Sequence, residues 1–143
     1  MRRFIFFLVM ALFLTATAEV FAHGKKAKPL PHFAEGITKV SDNGLFSIEI
    51  VLEPLKPKVG KNKIKVYLHD IDGKDLEGAK VEVKVWNKDK DILFKDKTKT
   101  METADGEYIV SNVVYDAQGL YELRVKVTKS SESDKAIFDV EVK

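Results

Sequence analysis

The sequence predicts an all-β protein, an immunoglobulin-like antiparallel β-sandwich of about seven strands that follows a signal peptide. Three observations predict this fold. From Leu45 onward, apolar and polar residues alternate with a period of two, as they do in strands buried on one face. Turn residues separate the alternating segments at regular intervals. No segment after residue 22 has the 3.6-residue period of a helix.

Residues 1–22 have the composition of a cleavable secretory signal. Two arginines precede an apolar run, and small residues follow it. Glu19 interrupts the run before it reaches the roughly 20 apolar residues that cross a bilayer, so we expect no stable membrane span after cleavage. Cleavage after Ala22 makes His23 the first mature residue, and cleavage after Ala18 is the alternative. Both sites predict a periplasmic or other extracytoplasmic location.

Residues 23–44 are predicted to form a basic tether. They include three closely spaced lysines, two prolines and three glycines, without a sustained periodicity. Such a composition is typical of a segment that is ordered only where it meets the folded domain. The sandwich domain is therefore predicted to span residues 45–143.

The first three predicted strands contain FSIEIVL, NKIKVYLHD and AKVEVKVW. Prolines and a glycine between residues 54 and 60 predict the first turn. Asp70, Asp72 and Gly73 predict a hairpin turn rather than a calcium loop, because the glycine does not stand at the sixth position that an EF-hand requires. In the second strand the alternation places His69 on the solvent-facing side.

The last four predicted strands contain ILFKDKTKT, EYIVSNVVY, LYELRVKVTK and AIFDVEV. Alternate lysines in residues 95–99 give the first of them a charged edge that opposes association with other strands. Gly106 and Gly119 each precede a tyrosine by two residues, Tyr108 and Tyr121, whose ring is expected to pack on the core. Tyr121 is interpreted as a core aromatic, with a tyrosine-corner contact as the alternative. Because each strand has one apolar face, two sheets must pack with these faces together.

The composition excludes several classes of function. The sequence has no cysteine, which excludes thiol catalysis, thiolate metal sites and iron–sulfur clusters. A formal net charge of +2 indicates no nucleic-acid partner, since such a partner usually requires a strongly basic face. The sequence contains neither the G-x-S-x-G motif of a serine hydrolase nor a glycine-rich phosphate loop. We therefore expect no enzymatic activity and no catalytic residue.

Several short motifs resemble those of the YtkA-like domain family and, more loosely, of FixH-like proteins. They are Val59-Gly60-x-Asn62, Asp70-x-Asp72-Gly73, Gly78-Ala79-x-Val81, Gly106-x-Tyr108 and Gly119-x-Tyr121. The resemblance implies an extracytoplasmic immunoglobulin-like domain, an association with heavy-metal or copper handling, and no established catalytic site. The predicted function is accordingly an exported, non-catalytic binding or accessory module that has a protein partner in the cell envelope.

The three histidines, His23, His32 and His69, are the candidate metal ligands. If cleavage follows Ala22, His23 offers an α-amine and an imidazole, a chelate that suits Cu(II), and a second imidazole would come from His32 or His69. The other interpretation is that His23 is a solvated residue and that the protein has no cofactor. Two alternative functions stay open, a copper carrier that uses His23 and a structural or adhesive module. The lysine-rich edge disfavours the adhesive module, which needs pairing between strands.

Overall fold

The computed structural model describes residues 24–95 and 97–143. The expected signal peptide and His23 lie outside these residues. The described residues form nine β-strands and no helix, so none of them belongs to a helix that is long and apolar enough to cross a membrane. The predicted all-β sandwich is confirmed.

The strands form two antiparallel sheets. In spatial order, the five-stranded sheet consists of β1 (Ile37–Val40), β2 (Ser47–Glu53), β3 (Gly60–His69), β7 (Glu107–Tyr115) and β6 (Lys99–Ala104). The four-stranded sheet consists of β5 (Ile92–Leu93), β4 (Lys80–Asn87), β8 (Gly119–Lys129) and β9 (Glu132–Val142).

The core lies between the apolar faces of the two sheets. Alternate residues of β2 and β3 meet alternate residues of β8 and β9, as the period-two pattern predicts. Each fully buried aliphatic or aromatic side chain contributes about 1.5–3 kcal/mol relative to an exposed one. The fully buried members from these four strands include Ile48, Ile50, Ile64, Val66, Leu68, Leu123, Val125, Val127 and Phe138.

The described residues contain nine strands rather than about seven, for two reasons. First, residues 37–40, which the sequence assigns to the tether, pair with β2 as the edge strand β1. Second, the segment ILFKDKTKT is not one strand but divides between the sheets, with β5 beside β4 and β6 beside β7. Between them, the Phe94 N–H donates to Val85 O and the Thr98 hydroxyl donates to Val83 O. The chain crosses from one sheet to the other after these contacts with β4.

Residues 24–36, here called the N-terminal strap, lie across the outer face of the five-stranded sheet. The Ala27 N–H donates to Gly44 O at 2.7 Å, the Leu30 N–H donates to Ser47 Oγ at 3.0 Å, and Lys25 pairs with Asp72. Under the strap, polar residues on the outward side of β2 and β3 are buried. His69 is one of them, so the prediction that it faces solvent is wrong. The alternation orients it correctly, but it cannot reveal that another segment covers this face.

Candidate metal site

Two of the three candidate histidines come together at the strap. His32 lies on the strap and His69 is the last residue of β3. Their rings stack with centroids 4.8 Å apart and planes inclined by 13°. Asp75 joins them because the turn after β3 brings the chain back, and an isolated antiparallel bridge pairs Asp75 with His69. The predicted ligands His32 and His69 are thus neighbours, whereas His23 lies outside the described residues.

The three side chains are spaced closely enough to share one ion. Nε2 of His69 lies 3.2 Å from Oδ1 of Asp75. One potential ligand atom from each of the three residues lies within 4.8 Å of the other two. Ligands on opposite sides of an ion with bonds of about 2.0–2.2 Å are separated by about 4 Å. Binding therefore needs a contraction of under about 1 Å and a small reorientation of the stacked rings.

His69 is the buried member of the set. The residue is only 6% exposed, and its Nδ1 is buried without a hydrogen-bond partner among the described residues. Burial lowers the pKa of His69, the nearby His32 lowers it further, and Asp75 opposes the shift. The ring is therefore neutral at pH 7, the form that coordinates metals. Nε2 faces Asp75 and is the nitrogen placed to share an ion with that carboxylate, whereas Nδ1 lies on the other side of the ring.

Glu49, on β2 under the strap, holds the imidazole of His32. Its side chain on β2 is fully buried. The carboxylate accepts hydrogen bonds from the His32 N–H at 2.7 Å, from His32 Nδ1 at 2.8 Å and from the Phe33 N–H at 3.0 Å. A carboxylate that holds one imidazole nitrogen leaves the other free to bind a metal. Sequence reasoning missed Glu49, because alternation marks it only as an outward strand residue and its partners lie 16 and 17 positions earlier.

Asp75 was also missed, because the acidic turn was interpreted as a hairpin and compared only with the calcium-binding pattern. The structure shows a tight turn here, in which Oδ1 of Asp70 accepts hydrogen bonds from the N–H groups of Asp72 and Lys74 at 2.8 and 3.0 Å. The prediction of a hairpin is wrong in one respect, because the flanking strands β3 and β4 lie in different sheets and do not pair. Asp75 is left at the end of that turn, with a side chain that is 56% exposed. The signal that could identify it is the short spacing from His69, which returns a carboxylate to the end of its own strand.

Aromatic rings border the site on one side. The ring of Tyr67 lies 4.9 Å from that of His32, and the ring of Phe33 lies 5.1 Å from that of Tyr67. Burial raises the pKa of Tyr67, so its phenol stays protonated and is not an anionic ligand. Two imidazoles and one carboxylate suit a divalent transition metal, and the Irving–Williams order favours Cu(II) over the other first-row ions.

A cleft of about 770 Å³ lies elsewhere, along β4 and β6, and it shares no residue with this site. Apolar side chains such as Val81, Val83 and Phe94 line it, together with lysines. The Tyr108 hydroxyl, also in its lining, donates to Leu76 O at 2.7 Å and accepts from the Ala79 N–H at 2.9 Å. The described lining residues include no histidine, and this polar group is already satisfied, so we do not assign chemistry to the cleft.

Comparison with solved structures supports the fold. A DUF4426 family protein from Pseudomonas aeruginosa superposes with a TM-score of 0.54 at 15% sequence identity, covering 73% of this chain and 96% of that one. A copper-bound variant of FetP from uropathogenic Escherichia coli has a TM-score of 0.51 at 10% identity, covering 76% of this chain and 89% of that one. At these identities the likeness concerns the fold alone. No curated protein matches the sequence.

The family of the chain follows from its sequence pattern. The pattern of the YtkA-like family matches residues 41–126, more than half of the chain. The matched range contains Glu49, His69 and Asp75, whereas His32 precedes it. The motifs that carry the resemblance all lie within this range. The chain belongs to the YtkA-like family.

Proposed function

We propose that this chain is an exported, non-catalytic module of the cell envelope that binds Cu(II) through His32, His69 and Asp75 and serves a partner protein there. One observation carries the proposal. Two histidines that are far apart in the sequence stack beside a carboxylate, and the buried one turns its Nε2 toward that carboxylate at 3.2 Å. Two imidazole nitrogens and a carboxylate oxygen this close together form a set of ligand atoms that suits a divalent transition metal.

Copper is the ion that the site favours. Imidazole nitrogen binds zinc, nickel and copper, and for a given set of nitrogen and oxygen ligands Cu(II) binds most tightly among the divalent ions of the series. The copper-bound state of FetP, whose fold is similar, supports the same choice. The absence of cysteine and the presence of a single methionine after residue 22 disfavour Cu(I), which prefers soft sulfur ligands.

The exposure of the ligands supports a binding and delivery role. His69 is buried, whereas the side chains of His32 and Asp75 are 36% and 56% exposed. An ion held between them is reachable by a partner's ligands without opening of the sandwich. The signal-like composition of residues 1–22 supports export.

Titration of the exported protein with Cu(II) tests the proposal. We expect one Cu(II) per chain, and we expect His69→Ala to weaken binding by at least about tenfold, because it removes the buried ligand. Asp75→Asn should also weaken the binding of Cu(II). Glu77→Gln is the matched control, since it neutralises an exposed carboxylate two residues away that is not part of the set.

The same titration separates this proposal from the alternative copper carrier. If His23 supplies an N-terminal chelate, His23→Ala abolishes tight binding and His69→Ala leaves it unchanged. That result would contradict the His32–His69–Asp75 site. Mass spectrometry of the mature N-terminus establishes whether residue 23 carries the free amine in the protein that is titrated.

A further inference from the structure

Glu49 is a buried carboxylate, and among the residues that the structure describes all of its hydrogen-bond donors belong to the strap. Its side chain is fully buried, although it lies on the outward side of β2. The three groups that donate to it are the main-chain N–H of His32, the ring Nδ1 of His32 and the main-chain N–H of Phe33. A buried carboxylate is costly unless it is paired and hydrogen-bonded, so this residue and the strap depend on each other.

The strap is shaped to close over this carboxylate. Its last residue, Gly36, approaches so closely that a Cβ atom there would lie 1.9 Å from Oε1 of Glu49. Real Cβ atoms do not come so near another heavy atom, so only glycine fits at this position without displacing the acid. His32, Phe33 and Gly36 therefore surround the Glu49 side chain from one segment.

The hydrogen bond at Nδ1 determines how His32 presents its ring. Nδ1 of His32 faces the Glu49 carboxylate, so Nε2 is the ring nitrogen that remains to bind a metal. A carboxylate behind an imidazole also makes that imidazole a stronger ligand, and loss of such a partner typically weakens metal affinity by about 10–100-fold. Glu49 thus acts on a metal through His32 without contacting the metal itself.

We propose that Glu49 is the positioning residue of this site, and that through it copper binding and strap docking form one coupled equilibrium. The inference rests on the proposed copper site. With copper bound, His32 links the strap to β3 through the ion. Without copper, the strap is held by Glu49, by Ser47 and by the Lys25–Asp72 pair. Since coupling between two binding events is reciprocal, copper tightens the strap by the same factor by which a docked strap tightens copper.

Trypsin reports docking of the strap directly. Lys26 is followed by Ala27, which is buried and whose N–H donates to Gly44 O. Cleavage after Lys26 therefore requires the strap to leave the sheet, as a protease needs a locally opened chain. We expect copper to slow this cleavage in the wild-type protein by a factor that approaches the factor by which copper tightens docking of the strap.

The decisive variant is Glu49→Gln, which keeps the size of the side chain and an oxygen acceptor for the strap but removes the charge behind His32. We expect Cu(II) affinity to fall about 10–100-fold and the protection of Lys26 by copper to disappear. Ser47→Ala is the matched control, because it removes the acceptor of the Leu30 N–H without touching His32. It should speed cleavage without copper and still show protection by copper, which separates positioning from simple loosening of the strap.

Gly36→Ala is the second variant, and it keeps the test decisive if Glu49→Gln does not fold. The added Cβ would push the Glu49 carboxylate away from its contacts with the strap. The affinity for copper and the protection of Lys26 by copper should therefore both fall. Suppose that the wild-type protein binds copper at His69, but that Glu49→Gln or Gly36→Ala leaves both the copper affinity and the protection of Lys26 by copper unchanged. That result would overturn the positioning role of Glu49 and leave the proposed function intact. Failure of the wild-type protein to bind copper would overturn both.

Discussion

Asp116 is an exposed carboxylate that joins three segments at one end of the sandwich. Its oxygens accept hydrogen bonds from the Tyr121 hydroxyl at 2.6 Å, from the Lys90 ammonium at 2.5 Å and from Asn87 Nδ2 at 3.1 Å. The Tyr121 hydroxyl also accepts from the Ala117 N–H at 3.1 Å. Tyr121 is therefore both the core aromatic that the sequence predicts and a tyrosine-corner-like contact to residues just upstream. Alternation and the preceding glycine identify the ring, but the partner of the hydroxyl depends on a loop conformation that they do not specify.

The Asp116 contacts predict a pH-dependent contribution to stability. Lys90, followed by Tyr121, lowers the pKa of Asp116 from 3.8 to about 2 in the folded protein. A carboxylate with a depressed folded pKa stabilises the protein fully above its unfolded pKa, and this contribution is lost as the pH falls toward the folded value. The unfolding free energy of wild type minus that of Asp116→Asn should therefore be largest above about pH 4 and shrink toward pH 2. A difference that grows on acidification would contradict this role, and urea denaturation across this pH range measures it.

At the scale of elements, Asp134 at the start of β9 ties the two sheets together. It is only 4% exposed, and its carboxylate accepts from the N–H and side-chain amide of Asn43 at 2.9 Å each. Asn43 lies in the connection between β1 and β2, so this contact fixes the edge strand β1 of the opposite sheet. The connection is also held by the Asp42 N–H, which donates to Lys135 O at 2.8 Å.

Replacing Asp134 tests this connection. Asp134→Ala removes the buried acceptor of the Asn43 N–H and side-chain amide, and hydrogen bonds to a charged group contribute about 1.5–3 kcal/mol. We expect the unfolding free energy to fall by about 2–3 kcal/mol, measured by urea denaturation at pH 7. Glu132→Ala, an exposed change on the same strand, should stay within about 0.5 kcal/mol of wild type. Equal effects of the two substitutions would contradict the proposed tie.

The elements also show where sequence reasoning works and where it stops. The long strands β3, β8 and β9 were predicted correctly because one face of each packs against the apolar core. Burial of one face requires apolar residues at alternate positions, and this alternation is visible in the sequence. Strand β1 was missed, because a four-residue edge strand with little burial carries no such pattern. The division between β5 and β6 was missed because the lysines that mark an edge do not show where the chain changes sheets. His32 and His69 were predicted as ligands by residue type. Glu49 was missed because its contacts come from a segment 16 and 17 positions away, and Asp75 was missed although it follows His69 closely.

At the scale of the whole molecule, the sandwich holds one half of the site and the strap supplies the other. His69 is fixed at the end of β3, whose inner residues pack in the core. His32 is fixed only through contacts of the strap with the outer face of the sheet. In the proposed copper site, the rigid sandwich would supply one imidazole and the strap would supply the other.

The central claim is that a Cu(II) ion is bound by the imidazoles of His32 and His69. The most direct measurement is pulsed electron paramagnetic resonance of the exported protein carrying one equivalent of Cu(II), which counts the coordinated imidazoles. We predict signals from two imidazoles in the wild-type protein and in His23→Ala, and from one in His69→Ala. A spectrum that is unchanged by His69→Ala and altered by His23→Ala would contradict the claim.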